Sequence, residues 1–147
     1  PQGEGAPLEK LAKKLGVSHR LKCVGLVSEP LDYLHAADIY IMPSSIEGFG
    51  CAAAEAMGAG LPAILANSPA LIDFYEHCPE ITYVKPEAED IARGIQELYA
   101  IPVEERFDLG LKLSEKMHQH YSIPNGASRY ISLYLGKEEI NENSKKS

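Results

Sequence analysis

The sequence contains no apolar run approaching the roughly 18 residues that a membrane-spanning helix needs, so nothing in it reads as a span. No secretory signal is visible, and the opening PQGEGAPLEK has no initiator methionine, which leads to the expectation of a chain cut from something longer. Cysteine is scarce: Cys23, Cys51 and Cys78 are an odd number at wide spacings. That excludes a disulfide framework and leads to the expectation of three reduced core thiols in a cytoplasmic compartment. Cations are in short supply too. Fourteen lysines and arginines face 21 aspartates and glutamates, for a formal net charge of -7, which argues against a nucleic-acid backbone as partner. His118 and His120 are two apart and point in different directions on a helix, while His19, His35 and His77 have no partner spacing, so no metal site is expected. There is no internal repeat, no Walker-type phosphate loop, no legible Ser-His-Asp arrangement and no Asp-x-Asp pair.

What is present suffices for one ordinary domain. A chain of 147 residues, 45% hydrophobic and 24% charged, can bury a core without disulfide or metal staples. LEKLAKKLG (8–16) places Leu8, Leu11 and Leu15 on one helical face and stops at Gly16. LKCVG (21–25) is a short β-rich run, EPLDYLHAA (29–37) a short helix, and DIYIMP (38–43) a strand ended by proline. LPAILAN (61–67) and ITYVKP (81–86) are further strands, with helices near 50–59 and 70–75. Beyond them the pattern is wholly helical, over 87–99, 103–120 and 124–135. The fold class this predicts is α/β, a Rossmann-like parallel sheet with helices on both faces. The tail KEEINENSKKS (137–147) is polar and expected to be disordered, which leaves 1–136 as the folded part.

One stretch poses a chemical question. In SSIEGFGCAAAEAMGAGLP (44–62), Glu55 stands among alanine, glycine and methionine with no lysine or arginine near it. A carboxylate buried there would cost several kcal/mol unless hydrogen-bond donors reached it, and the sequence offers none, so the donors are sought on a ligand. The position suits one. In open α/β sheets ligands bind beyond the carboxyl ends of the strands. Here a strand ends at Pro43, a loop follows, and a helix begins near Gly50 with free N–H groups and a positive dipole end that suit a phosphate. Cys51, Glu55 and Gly58 fall at i, i+4 and i+7, so Glu55 shares its face with small residues.

These residues resemble the signature of the retaining glycosyltransferases of family four, nucleotide-sugar enzymes with the two-domain GT-B fold. The pair Glu47 and Glu55, separated by seven residues, lies in the expected context of PSSIEGFGCAAAEAMGAGLP. LGVSHRLKCVGLV, LDYLHAADIYIMPS and LPAILAN are similar to the flanking segments, and the resemblance runs from about Gly5 to about Tyr134. It implies that Glu55 accepts hydrogen bonds from both ribose hydroxyls, which would supply the missing donors. It places Glu47, the catalytic candidate, by the hydroxyls of the donor sugar. Backbone amides of Phe49, Gly50 and Cys51 would hold the sugar and diphosphate, and the turn Gly25, Leu26 and Val27 would contact the nucleobase. The implied donor is a UDP- or GDP-sugar and the reaction is transfer of a hexose with retention. No metal or other cofactor is implied. The acceptor, of unknown identity, would be bound by an absent N-terminal domain, and the full enzyme is expected to be cytoplasmic with peripheral association at the cytoplasmic membrane face.

The chain departs from that pattern in places. Two strand-helix units that carry basic residues for the diphosphate are expected before PQGEGAP, which itself resembles the turn closing the second of them. In the strand order 3-2-1-4-5-6 those strands would lie between LKCVG and DIYIM. The piece alone is therefore expected to have a gap in its sheet and no transferase activity. NSPALIDFY replaces the family's glycine pair and glutamate, which leaves a contact there open. Tyr121, Tyr130 and Tyr134 with Ile123, Ala127 and Ile131 form an amphipathic stripe whose simplest reading is core packing. Under the resemblance, this helix would pack partly on the absent domain. A second functional reading is a non-catalytic or truncated nucleotide-sugar-binding module; the sequence before Pro1 would discriminate the two. A nucleotide-sugar epimerase of related fold fits the EGFG stretch less well.

Overall fold

A computed structural model describes residues 5–136. The polar tail and the first four residues of the glycine-rich turn lie outside the described residues. The chain divides between Tyr33 and Leu34 into two units.

In the first unit, helix α1 (Ala6–Lys14) follows the leucine periodicity and carries proline in its first turn. It closes where the sequence placed the stop. Gly16, at φ 71°, lets its N–H reach the Lys13 carbonyl while the Val17 N–H reaches that of Ala12. A short 3-10 turn, Ser18–Arg20, follows. LKCVG, expected to be a strand, is irregular and exposed. The cause is that a strand exists by pairing, and no described residue offers this run a neighbour. Helix α2 (Pro30–His35) begins on proline as expected and spans the division between the units.

The second unit is an α/β layer structure. Three parallel strands, β1 (Tyr40–Met42), β2 (Ala63–Ala66) and β3 (Thr82–Val84), lie in chain order, with Tyr40 beside Ala63 and Ile64 beside Thr82. All four β2 residues are buried, as a central strand covered on both faces requires. Ala63 and Leu65 face helix α3 (Cys51–Gly58), α4 (Pro69–Ile72), the 3-10 turn Asp73–Glu76 and α6 (Val103–Tyr121). Ile64 points the other way, with Val84, to α5 (Ala88–Ala100) through Leu98. The gap expected between LKCVG and β1 is not found among the described residues, because LKCVG forms no strand and the three strands present are contiguous.

Polar bonds join the layers. Buried Arg106 donates to the carbonyls of Leu98, Tyr99 and Ile101, where the negative end of α5 favours a cation, and so fixes the step from α5 to α6. The Ser114 hydroxyl donates to the Gly58 carbonyl at 2.7 Å, tying α6 to the end of α3, and Tyr83 donates to the Leu71 carbonyl at 2.9 Å.

Two sequence expectations fail here. Only Cys78 is a core thiol, with its pKa pushed up to about 11, chiefly by burial. Cys51 and Cys23 are exposed, the first because it opens a helix at a loop, the second because its segment forms no strand. The tyrosine stripe is not core either. Tyr121 ends α6, whereas Tyr130 and Tyr134 belong to α7 (Ile123–Tyr134), which packs on α6 and leaves both tyrosines exposed. The break at Ser122, just before Pro124, divides the stripe.

α6 passes close to the backbone of the turn after α3. A Cβ on Gly110 would fall on the carbonyl of Gly60. Gly110→Ala is expected to destabilise the fold by about 1–3 kcal/mol, the usual cost of overpacking, or more, since the obstacle is backbone. Denaturant unfolding of wild type and variant measures it; equal midpoints would show that α6 does not lie this close.

Candidate functional site

The site is built by the way α3 starts and stops. Its alanine-rich sequence favours helix, and its C-terminus is closed by Gly60 at φ 90°, whose N–H reaches the Met57 carbonyl while that of Leu61 reaches Ala56. At the other end β1 stops at Met42, residues 43–49 are irregular, and Gly50 takes a left-handed conformation, φ 85° and ψ 44°. Gly50 is buried, and a Cβ there would lie 2.5 Å from Leu71 Cδ2. Only glycine meets both conditions without strain. The Gly50 carbonyl accepts from the amides of Ala53 and Ala54. No side chain caps the helix, and among the described residues the amides of Phe49, Gly50 and Cys51 have no protein acceptor. An uncapped helix start with free amides can receive an anion.

The two sequence-predicted carboxylates flank this start. Glu47 is half-buried in the loop, and Glu55 lies on the exposed face of α3. Burial of Glu55 is therefore corrected: alanine and glycine neighbours are too short to cover it, so its oxygens meet solvent. Neither carboxylate has a hydrogen-bond partner among the described residues. The next cation before this region is Lys22 and the next after it is Lys85. Within the second unit, the loop and α3 thus present acceptors and backbone donors, but no cation of their own.

A cleft of about 210 Å³ runs along Glu55. One wall is Ala54, Glu55 and Gly58 of α3; the other is Met117, His118, Tyr121 and Ser122 at the end of α6. It is smaller than the roughly 300–1,000 Å³ of pockets that enclose whole drug-sized ligands, so it suits one part of a larger molecule. A larger concavity, about 520 Å³, lies between the Asp73–Glu76 turn and the α6–α7 junction, lined by Glu76, His77, Gln119, His120, Asn125, Ser128 and Arg129. It contains none of the candidate binding or catalytic residues taken from the sequence. His77 and His120, which have no sequence relation, stack there with ring centres 4.0 Å apart. Among the described residues no group of three or more His, Cys, Asp or Glu side chains could hold a metal ion.

Gly25, Leu26 and Val27 lie in the first unit. Gly25 is left-handed at φ 67°, and Leu26 is completely exposed, the form of an open turn. Two aromatic residues of the second unit adjoin the carboxylates without being marked as site residues by the sequence, which reads Tyr121 as core packing. The Tyr40 phenol on β1 has its pKa raised by burial first and then by the charges of Glu47 and Glu55, so it shares their neighbourhood. Tyr121 shares the cleft with Glu55. The alternation of a strand marks Tyr40 only as a core residue, and Tyr121 is separated from Glu55 by 65 residues of intervening chain, so no local pattern reveals either. Ser68, just past β2 in the departure NSPALIDFY, is buried with no hydrogen-bond partner for its hydroxyl.

A helix start with free amides, flanked by two carboxylates at the carboxyl end of a parallel sheet, lies where open α/β sheets bind ligands. The chain belongs to the family described as glycosyl transferases group 1, which it matches over residues 2–117. It is 29% identical over 136 residues to an uncharacterized glycosyltransferase of Methanocaldococcus jannaschii, covering 86% of this chain and 33% of that protein. It is 28% identical over 146 residues to a 2-deoxystreptamine N-acetyl-D-glucosaminyltransferase of Niallia circulans, covering 94% and 36%. The chain thus spans about a third of the length of these relatives. Among solved structures, sucrose-phosphate synthase from Thermosynechococcus elongatus superposes with a TM-score of 0.78 at 27% identity, over 92% of this chain and 36% of that one. Anabaena HepE in complex with UDP and glucose gives 0.77 at 20% identity, over 90% and 36%, a likeness of fold.

The contact of Gly50 with Leu71 sets where α3 begins. Gly50→Ala is expected to cost about 1–3 kcal/mol through the left-handed backbone and the clash. Combined with Leu71→Ala, which makes room, the total should fall short of the sum of the single changes by about 0.5–3 kcal/mol, as for residues in contact. Denaturant melts of the four proteins give the coupling; strict additivity would mean that the two do not touch.

Proposed function

We propose that this chain is the donor-binding part of a retaining hexosyltransferase that uses a UDP- or GDP-sugar. The observation that carries the reading is the placement of Glu47 and Glu55, both without partners among the described residues, on either side of the uncapped start of α3. The family membership and the fold neighbour solved with UDP and glucose support the same reading.

In this reading Glu55 accepts from the two ribose hydroxyls at the α3 cleft. The amides of Phe49, Gly50 and Cys51 meet the sugar and diphosphate, and the positive end of α3 stabilises the charge that grows on the departing phosphate. Glu47 fixes the hydroxyls of the transferred hexose, leaving its front face open to an acceptor held elsewhere. Gly25, Leu26 and Val27 contact the base. Since the loop and α3 bring no cation, the remaining diphosphate charge is met by basic groups outside them. No metal enters this scheme. Among the described residues no helix is long and apolar enough to cross a membrane; peripheral association with the cytoplasmic membrane face belongs to the proposal.

Two substitutions in the full-length protein test the assignment. Glu55→Ala should weaken binding of UDP or GDP by about 1.5–3 kcal/mol, the range for hydrogen bonds to a charged group, with the fold intact. Calorimetric titration reads this, and an unchanged affinity for the nucleotide that binds would sink the ribose role. Glu47→Ala should lower kcat roughly ten- to a thousandfold while leaving affinity for the bare nucleotide nearly unchanged. Equal losses of rate and nucleotide affinity would show that this carboxylate serves the nucleotide and not the sugar.

A further inference from the structure

Phe49 lies in the loop that meets the donor in the reading above, yet nothing in its own segment holds its half-exposed ring. Two distant aromatics do. Phe74, in the turn after α4, meets it edge-on at 5.3 Å between ring centres, and Tyr121, the last residue of α6, meets it at 6.0 Å. Phe74 and Tyr121 touch each other at 5.2 Å, so the three rings close a triangle. The two supports differ in kind. Phe74 is fully buried core, whereas Tyr121 is partly exposed and also forms a wall of the cleft opposite Glu55. On its far side Tyr121 is met edge-on by His77 at 5.9 Å, which is itself stacked on His120. Among the aromatic side chains of the described residues, Tyr121 is the one that both meets Phe49 and lines the Glu55 cleft.

We propose that Tyr121 is a positioning residue for the donor site, its ring wedging Phe49 so that the amides of Phe49, Gly50 and Cys51 face the diphosphate. The proposal rests on the donor-binding reading and extends it to a residue on a different helix. The ring, and not the hydroxyl, does this, because the contacts to Phe49 and Phe74 are ring to ring. Burial, foremost, raises the pKa of Tyr121, so the ring that packs there is uncharged at neutral pH. The ring holds the phosphate-binding loop, while the ribose carboxylate sits on α3, which Ser114 and the core hold independently.

The test uses Tyr121→Ala, Tyr121→Leu and Tyr121→Phe in the full-length protein, with UDP and GDP set against uridine and guanosine. Because Tyr121 also lines the ribose cleft, Tyr121→Ala and Tyr121→Leu should weaken both ligands, but the nucleoside diphosphate that binds by about tenfold more than the matching nucleoside. Tyr121→Phe should restore the diphosphate affinity. Equal losses for nucleoside and diphosphate, no loss in the leucine variant, or failure of phenylalanine to rescue would each overturn the proposal. If the wild type binds none of the four, the donor reading has failed, and the Phe49 ring resonances decide the positioning separately. A shift in the leucine variant that is absent in the phenylalanine variant supports it, and unchanged resonances in all variants overturn it.

Discussion

The site depends on one residue having no side chain where another element needs the space. Gly50 turns the chain left-handed against Leu71, and this contact fixes where α3 starts and which way its free amides point. Both glutamates take their positions from it, Glu47 three residues before the turn and Glu55 five after. The constraint is steric and local, but it works only because Leu71 is itself immobilised. Leu71 belongs to the core that Phe74, Met57 and Leu113 complete, and its carbonyl receives the Tyr83 hydroxyl. The geometry of a polar, solvent-facing site is thus set by apolar contacts behind it.

Much of this was legible in the sequence, and what was legible was local. Proline, glycine and hydrophobic spacing marked the seven α-helices and the three strands found among the described residues, because caps and periodicity act over a few residues. The Glu47 and Glu55 pair was legible for the same reason, as one loop and one helix carry it. LKCVG failed because strand formation needs a partner that propensity cannot supply. The exposure of Cys23 and Cys51 failed similarly, since an apolar neighbourhood in sequence says little about which face is covered. Tyr40 and Tyr121 were beyond reach: one has the pattern of a buried strand residue, and the other arrives from the far end of α6.

The charge of the chain fits the arrangement. In the proposed reading the loop and α3 offer carboxylates to hydroxyls and backbone amides to phosphate, and leave the rest of the diphosphate charge to basic groups outside them. Buried Arg106 is engaged with the α5 carbonyls, and Lys116 is paired with Glu80, whose carboxyl is disfavoured by burial yet held below its usual range by that lysine. These two cations serve the scaffold.

The order of the strands has a consequence for how firmly each glutamate is held. β2 is paired on both sides, but β1 is paired on one. Glu55 rides on α3, which packs on β1, β2 and α6, whereas Glu47 hangs from a loop that leaves the end of β1. Local opening begins where backbone pairing is thinnest, so the two carboxylates differ in stiffness before any ligand arrives. A further strand laid along the other edge of β1 would tighten the Glu47 loop directly and reach Glu55 only through α3, so pairing at that edge would act unequally on the two halves of the site.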